Sequence, residues 1–353
     1  MTILQRYIAQ AILTSTGLVL LVLLGLYTFM DFIAELEEVG KGQYQLVEVM
    51  SYLALSMPKR VYELLPIAAL LGSVLGLGNL ASQSELVVMR AAGISIQSIN
   101  KAVMIVAVGL MLLALFVGEV IRPPAEQSAR ELQSMAQTGT VGTRSDNGFW
   151  TRDGTHFNHI DRILPDGRFA GVSIYEFDAE NRLRVVTKAE EARYEGEHWT
   201  LSGVIQSNLD KDGVSVKSVE YAQWRSQLNP GMLNVVVPPE FLPVWSLVEY
   251  IRYLKTNHQS VGHYKMAFWM KVMMPLSSAV MVFLAVPFVF GPLRSTPIGA
   301  RILVGTLVGI GFHLFNQSFQ HMGLVFGVLP WLAASLPTLL FAGVGYYWMK
   351  RIY

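Results

Sequence analysis

Residues 13–30 read LTSTGLVLLVLLGLYTFM, a run that contains no charged side chain. A helix needs about 20 mainly apolar residues to cross the hydrocarbon core of a bilayer, and this run with its flanks extends from about Ala9 to Ile33. It is longer than the apolar core of a signal peptide, and no small-residue cleavage site precedes Asp31. The run therefore predicts a retained membrane-spanning helix.

Five further apolar stretches predict membrane spans of the same kind. Two of them precede a long polar segment and three follow it. Their approximate bounds are Val61–Leu80, Ala102–Ile121, Met266–Phe290, Ile302–Met322 and Leu324–Met349. We expect the third span to stop at Pro123-Pro124, because proline interrupts a helix. On the second span, the small residues Gly72, Gly76 and Gly78 predict a close approach of another helix.

The overall composition agrees with a membrane protein. Hydrophobic residues make up 52% of the chain, charged residues 15%, and the mean hydropathy is +0.40. A soluble domain carries about 25% charged residues. The net charge of +1 gives no sign of a nucleic-acid partner. The chain has no cysteine, which excludes disulfides, thiolate metal ligands and a cysteine nucleophile.

The polar segment between the third and fourth spans predicts an inserted all-β domain. Its strand-like runs alternate with turn signals such as Pro165-Asp166-Gly167 and Lys211-Asp212-Gly213. The predicted strands are Thr155–Ile163, Phe169–Phe177, Arg184–Tyr194, Trp199–Asn208 and Val214–Trp224. Even spacing favours a meander that closes into a sandwich or an open barrel. No catalytic grouping is visible, and His156 and His159 would point to opposite faces of one strand.

The distribution of basic residues predicts the orientation of the chain. One set of helix ends collects most of them, with Glu85 as the only acid: Arg6, Arg90, Lys101, Arg294, Arg301, Lys350 and Arg351. The positive-inside rule then places both termini in the cytoplasm and the insert outside, which in a bacterium is the periplasm. We divide the chain into residues 1–122 with three spans, 123–264 with the β domain, and 265–353 with three more spans.

The segment 82–93 predicts a short helix on the cytoplasmic side. Ser82 and Glu85 have the spacing of a capping box, and Gly93 suits a left-handed helix stop. Such a helix is either a capped connector or a coupling helix that sits in a groove of a separate ATPase. In the second interpretation, the contacts would come from Glu85, Leu86, Met89 and Arg90.

Three runs carry a resemblance to a known family: PIAALLGSVLGLGNLAS at 66–82, SELVVMRAAG at 84–93 and FGPLRSTPIGAR at 290–301. The chain resembles the LptF/LptG family, the paired permease subunits of the bacterial lipopolysaccharide exporter, over essentially its whole length. It is most similar to the LptG branch, whose pattern includes the FGPLRS and IGAR stretch.

The resemblance implies a complete architecture and a set of partners. The fold would be an α-helical membrane protein of six transmembrane helices with a β-jellyroll-like periplasmic domain. The chain would pair with the sister permease LptF, a dimer of the ATPase LptB and the single-span protein LptC. Its cargo would be lipopolysaccharide, drawn from the outer leaflet of the inner membrane and passed along a periplasmic bridge toward the outer membrane.

Lipopolysaccharide carries acyl chains and phosphorylated sugars, so its site needs an apolar cavity with cations at the headgroup level. The candidate headgroup residues are Lys41, Lys59, Arg60 and Arg130, with Arg122 nearby. Any one of them could instead be an interfacial cation that extends toward water. The candidate acyl-chain residues are Leu26, Phe29, Met30, Phe32, Phe312, Phe315 and Phe319, for which packing in the bundle or against lipid is the simpler alternative.

One departure from the family pattern and one polar stripe are also visible in the sequence. Glu35, Glu37 and Glu38 follow the first span, where some members of the family have basic residues. The fifth span carries a polar stripe that would bond a neighbouring helix, line a wet cavity or lie at a subunit interface. The stripe consists of His313, Asn316, Gln317 and Gln320.

The chain contains no G-x-x-x-x-G-K-[ST] loop, so we expect a separate ATPase to bind ATP and Mg²⁺. We predict no catalytic, cofactor or metal site in this chain. The alternatives are a lipoprotein-releasing or efflux permease, a proton-coupled transporter and a membrane-anchored periplasmic enzyme. A proton-coupled transporter would need ionisable groups at the bilayer midplane, and the predicted spans contain almost none.

Overall fold

The computed structural model consists of a bundle of long helices and an inserted antiparallel sheet. It describes residues 3–138, 149–153, 156–164, 168–178, 182–196, 198–210, 213–224, 226, 239–257, 259–290 and 296–352. The helices are α1 (Ile3–Leu36), α2 (Leu46–Ser82), α3 (Glu85–Ala91), α4 (Ile96–Phe116), α5 (Arg122–Thr138), α6 (Val244–Thr256), α7 (Gly262–Phe290), α8 (Ile298–Val325) and α9 (Pro330–Ile352).

Six helical segments are long and apolar enough to cross a membrane among the residues described. This confirms the six apolar helices that the sequence predicts. The second helix begins earlier than predicted, at Leu46 instead of about Val61. The Gln45 N–H donates to Glu48 Oε2 at 2.9 Å, a capping contact that starts α2 well before its apolar part.

The predicted end of the third span at Pro123-Pro124 is wrong. A π-helical turn, Val117–Ile121, follows α4 and leads directly into α5. The two prolines occupy the first turn of α5, where a missing N–H costs little because the α-helical hydrogen-bonding pattern has just been interrupted. The helix therefore continues through the prolines and carries the chain toward the sheet.

α2 lies at the centre of the bundle and packs against α1, α5, α7 and α8. The predicted close approach is confirmed, because Gly72 touches the backbone of Thr16 on α1. A Cβ atom at Gly76 would lie 2.6 Å from the carbonyl oxygen of Ala11, and one at Gly78 would lie 2.8 Å from Arg301 Nη1. These glycines let α1 and α8 approach the two sides of α2.

The inserted sheet has six strands in the order of the chain. They are β1 (Phe149–Asp153), β2 (His156–Ile163), β3 (Phe169–Phe177), β4 (Leu183–Tyr194), β5 (Trp199–Asp210) and β6 (Gly213–Trp224), each antiparallel to its neighbours. The five predicted strands are confirmed to within two residues at each end, whereas β1 was not predicted. The turn predicted at 165–167 lies outside the described residues, as do the first two residues of the turn predicted at 211–213.

One face of the sheet is buried under α6. The rings of Phe169 and Trp199 stack with 4.0 Å between their centroids. Tyr250, Tyr253 and Leu254 of α6 pack onto the same cluster of buried side chains. Burial and the neighbouring Tyr264 raise the pKa of Tyr250 above its usual range. The segment 123–264 thus contains two helices, α5 and α6, besides its β-sheet.

Candidate functional site

The bundle has two ends, which we define by the elements they carry. At the sheet end, α1 stops, α2 starts and α5 leads away to the sheet, while the α3 end holds α3 and the start of α1. All four predicted headgroup cations lie at the sheet end, and each forms an ion pair.

Two of these cations, Lys59 and Arg130, converge on one carboxylate. Lys59 Nζ and Arg130 Nη2 each lie 3.6 Å from Glu126 Oε1. Glu126 is buried, and its other oxygen, Oε2, has no hydrogen-bond partner. The structure therefore brings Lys59 of α2 and Arg130 of α5 to the same oxygen of Glu126, while the other oxygen of this carboxylate has no hydrogen-bond partner.

The Arg60 side chain is held by two carboxylates. Its Nε and Nη2 donate to the two oxygens of Asp31 on α1, both at 2.7 Å, and its Nη1 donates to Glu63 at 3.0 Å. A bidentate pair of this kind fixes the guanidinium plane. A phosphate could contact Arg60 only beside Asp31 or in its place.

Lys41 is the most accessible of the four, with 58% of its side chain exposed. Its Nζ lies 2.6 Å from Glu38 Oε1, and this contact lowers the pKa of Glu38. Ion pairs between exposed side chains are weak, so an incoming phosphate could take Lys41 from Glu38 at little cost.

Two acidic residues at the end of α1, Glu35 within the helix and Glu38 just after it, connect this part of the chain to α5. Glu35 Oε1 accepts from Tyr44 Oη at 2.9 Å and from Gln133 Nε2 at 2.6 Å. Glu38 Oε2 accepts from Gln137 Nε2 at 3.0 Å. Burial, followed by the bond to Glu35, raises the pKa of Tyr44. Glu35 and Glu38, two of the three acids near the end of the first span, thus bond to α5.

An apolar groove of about 700 Å³ runs between α1 and α2. Two of the predicted acyl-chain residues, Phe29 and Phe32, line it. Leu26 and Met30 are exposed but do not line it. The other lining residues are Gly17, Leu20, Leu21, Leu24, Gly25, Thr28, Met50, Leu53 and Met57. Asp31 and Arg60 do not line the groove, but each lies within one helical turn of a lining residue, Phe32 or Met57, and we refer to this charged pair as the border of the groove.

The three predicted phenylalanines of α8 belong to a different part of the bundle. Phe312 is buried and packs edge-to-face on Phe341 of α9. Phe315 and Phe319 are half-buried, with 4.7 Å between their ring centroids. Because α2 separates α1 from α8, the seven predicted residues do not form one wall within this chain.

An ion pair inside the bundle was missed by the sequence reasoning. Lys271 Nζ of α7 lies 3.3 Å from Glu119 Oε1 on the π turn, and their side chains are 5% and 17% exposed. Glu119 Oε2 also accepts from the N–H of Val244, the first residue of α6. Both charged residues lie within predicted apolar spans, Glu119 close to the end of its span and Lys271 close to the start of its own. A charge inside a span is itself the signal that could have found them.

At the α3 end, the predicted short helix is confirmed but its predicted cap is wrong. Helix α3 starts after Ser84, whose φ is 60°, and Ser82 Oγ donates to the carbonyl of Asn79 at 2.9 Å. The left-handed stop at Gly93 is confirmed by its φ of 86°. The Ser82 hydroxyl is not available for a capping box because α2 extends to that residue.

The residues predicted to contact an ATPase divide into inward and outward groups. Leu86 is buried in the bundle core, and Met89 packs against that core. Arg90 is exposed, and Glu85 Oε1 accepts from Tyr7 Oη of α1 at 3.1 Å. A groove of about 370 Å³ lies between α3 and the end of α7. Leu86 and Met89 anchor α3, whereas Glu85 and Arg90 border its outer surface.

One residue of the predicted basic face has a structural role instead. Arg301 is buried and donates from Nη1 to the carbonyl oxygen of Gly78, which joins α8 to α2. It is not a free surface cation. Arg294 and residues 291–295 of the FGPLRSTPIGAR run lie outside the described residues.

Six helices of membrane-spanning length, an inserted β-sheet and an apolar groove between two of the helices define a polytopic membrane protein. The chain belongs to the lipopolysaccharide export system permease LptF/LptG family, whose model matches residues 6–351.

Individual relatives identify the branch of this family. The chain is 37% identical over 353 residues to the lipopolysaccharide export system permease protein LptG of Escherichia coli (strain K12), covering 99% of this chain and 98% of the relative. It is 36% identical over 351 residues to the LptG protein of Haemophilus influenzae, with 99% and 98% covered. The similarity to the LptF protein of Escherichia coli (strain K12) is 33% over 106 residues, which is 30% of this chain. The predicted resemblance to LptG is thereby confirmed.

Proposed function

We propose that this permease subunit takes lipopolysaccharide from the outer leaflet of the bacterial inner membrane and passes it to a periplasmic bridge. The observation that carries the proposal is the α1–α2 groove, whose wall is apolar and whose border carries the Asp31–Arg60 pair. An acyl chain would enter the groove while a headgroup phosphate contacts the cations of the sheet end. In this proposal both termini lie in the cytoplasm, and the sheet is part of a periplasmic jellyroll.

The volume of the α1–α2 groove is an argument for a second permease subunit. A groove of about 700 Å³ lies within the range of about 300–1,000 Å³ that is typical for small-ligand pockets. A lipid with several acyl chains needs more room than this. The sister permease LptF would supply the remaining wall, and the exposed apolar side chains of α1 and the polar stripe of α8 are surfaces suited to helix partners.

Energy would come from a separate ATPase, since the chain has no P-loop motif. A dimer of the ATPase LptB would bind ATP and Mg²⁺ and move α3, which is anchored in the bundle core through Leu86. That movement would narrow the cavity and expel the lipid toward LptC and the periplasmic bridge. Glu85 and Arg90 would be the contacts on the outer surface of α3.

Photocrosslinking tests the proposal. A photoreactive residue at Phe29 reports on the groove, one at Arg60 reports on its border, and one at Leu339, an exposed position of α9, serves as the control. We expect lipopolysaccharide adducts at the first two positions that decrease when ATP and the ATPase are added, and only phospholipid adducts at Leu339. Phospholipid alone at Phe29, or equal lipopolysaccharide yields at all three positions, would contradict the assignment.

A further inference from the structure

A second groove lies at the α3 end of the bundle, away from the site proposed for lipopolysaccharide. It has a volume of about 500 Å³ and lies between the starts of α1 and α4. Gln5 lines it from α1, and α4 contributes Gln97, Asn100, Lys101, Met104 and Ile105. The groove therefore combines polar and apolar side chains in one space.

The polar part of this groove has unused binding capacity. Lys101 is exposed, and no carboxylate within the described part of the chain pairs with it. Asn100 Oδ1 is buried and has no hydrogen-bond partner. A ligand that satisfies both groups needs an anionic oxygen for Lys101 and a hydrogen-bond donor for Asn100.

The apolar part continues along the same face of α4. Met104, Ile105, Val108 and Leu112 are all exposed and follow Lys101 at helical spacing. From Lys101 to Leu112 the helix rises about 16 Å, which is close to half of the roughly 30 Å hydrocarbon thickness of a bilayer. This stripe of side chains is basic and polar at one end and then apolar over about the thickness of one leaflet. It therefore matches a single lipid, with its polar headgroup and its acyl chains.

The charged side chains near the groove favour an anionic lipid. The neighbouring basic residue Arg6 is also exposed, whereas the nearby acid, Glu85, accepts a hydrogen bond from Tyr7. A zwitterionic ammonium group would gain nothing from these two cations. An anionic phosphate with hydroxyl donors satisfies Lys101 and Asn100 together.

We propose that the groove between the starts of α1 and α4 is a binding site for phosphatidylglycerol of the leaflet at the α3 end. Lys101 contacts the phosphate, Asn100 Oδ1 accepts from a glycerol hydroxyl, and Met104 and Ile105 contact the acyl chains. The site does not depend on the proposed export function, because it involves a different lipid at the opposite end of the bundle.

The test is native mass spectrometry of the full chain with its partner subunits, released from nanodiscs that contain equal amounts of phosphatidylglycerol and phosphatidylethanolamine. We expect retained phosphatidylglycerol to exceed phosphatidylethanolamine about ten-fold, because phosphatidylethanolamine would bring its ammonium group beside the cations Lys101 and Arg6, and a repulsion of about 1.4 kcal/mol corresponds to that ratio. Lys101→Gln and Asn100→Ala should each lose most of this preference, and Lys101→Arg should keep it.

Lys350→Gln is the matched control, because Lys350 is an exposed cation near the end of α9 that does not line the groove. It should retain phosphatidylglycerol like the unmodified protein. Equal retention of the two lipids by the unmodified protein would overturn the proposal. So would an Asn100→Ala variant that behaves like the unmodified protein, since Lys101 would then act only as a general surface charge.

Discussion

Glu119 joins Lys271 of α7 to the first N–H of α6, with 3.3 Å to the ammonium nitrogen and 2.7 Å to the Val244 nitrogen. A carboxylate at a helix N-terminus is favourable because the helix dipole is positive there. α6 in turn packs on the buried face of the sheet. One side chain of the π turn therefore connects the helical bundle to the helix that covers the sheet.

Glu119→Gln should destabilise the protein by about 3–5 kcal/mol, because Lys271 would remain buried without a counter-charge. The double variant Glu119→Gln/Lys271→Met should recover part of this loss. Thermal unfolding in detergent measures both. Glu131→Gln, which alters an exposed acid of α5, is the control and should have little effect. Equal stability of the single and double variants would show that the ion pair does not matter.

Gly72→Ala should destabilise the packing of α1 on α2 by about 1–3 kcal/mol, because the added methyl group would overlap the backbone of Thr16. Gly109→Ala is the matched control, since nothing lies within 4 Å of a Cβ atom at that helical position. Its higher helix propensity should make it neutral or stabilising by up to about 1 kcal/mol. Thermal unfolding compares the two variants, and similar effects would argue against the close approach.

Glu85→Lys should leave ATP hydrolysis largely intact and reduce lipopolysaccharide export, if Glu85 contacts the ATPase. Tyr7→Phe is the control, because it removes only the hydrogen bond between Glu85 and α1. Coupled ATPase and export assays on reconstituted complexes distinguish the two roles. If Tyr7→Phe uncouples as strongly as Glu85→Lys, the role of Glu85 is to position α3 within this chain.

Lowering the pH should break the contact between Glu38 and Lys41, but at a lower pH than the one at which an ordinary glutamate is protonated. Lys41 lowers the pKa of Glu38 from its ordinary value of 4.5, so the contact is fully present above that pH and is lost as the pH falls through the lower, folded-state pKa. Hydrogen exchange of residues 37–44 as a function of pH measures this loss. In Glu38→Gln the acid-dependent step assigned to this segment should disappear, and an unchanged profile would contradict the assignment.

Local patterns predicted the elements of the fold better than their connections. Gly-containing turn signals bound strands such as Phe169–Phe177, whose ends were predicted to the residue. Helix α6 was missed although Leu247, Tyr250 and Leu254 recur at helical spacing, because the surrounding strands favoured an all-β interpretation. Proline is a strong stop signal in a sequence, but the π turn before Pro123 removes the hydrogen bonds that proline would break.

The candidate sites depended more on contacts that are distant in sequence. The headgroup cations could be chosen by type and position, but two of them have an acidic partner on another helix, as with Arg60 and Asp31. The same holds for Phe312, whose burial depends on α7 and α9. The spacing of residues along a helix predicts on which face of the helix each residue lies. Which residue of another element packs against that face depends on the tertiary structure.

The π turn Val117–Ile121 also sets which way α5 faces. It accommodates one residue more than an α-helical turn, and one residue corresponds to about 100° of rotation. Every side chain of α5 is therefore turned by about a quarter of a circle from where an unbroken α-helix would carry it. In the resulting orientation Gln133 and Gln137 meet Glu35 and Glu38. A single extra residue in the backbone thus determines which side chains of α5 bond to the end of α1.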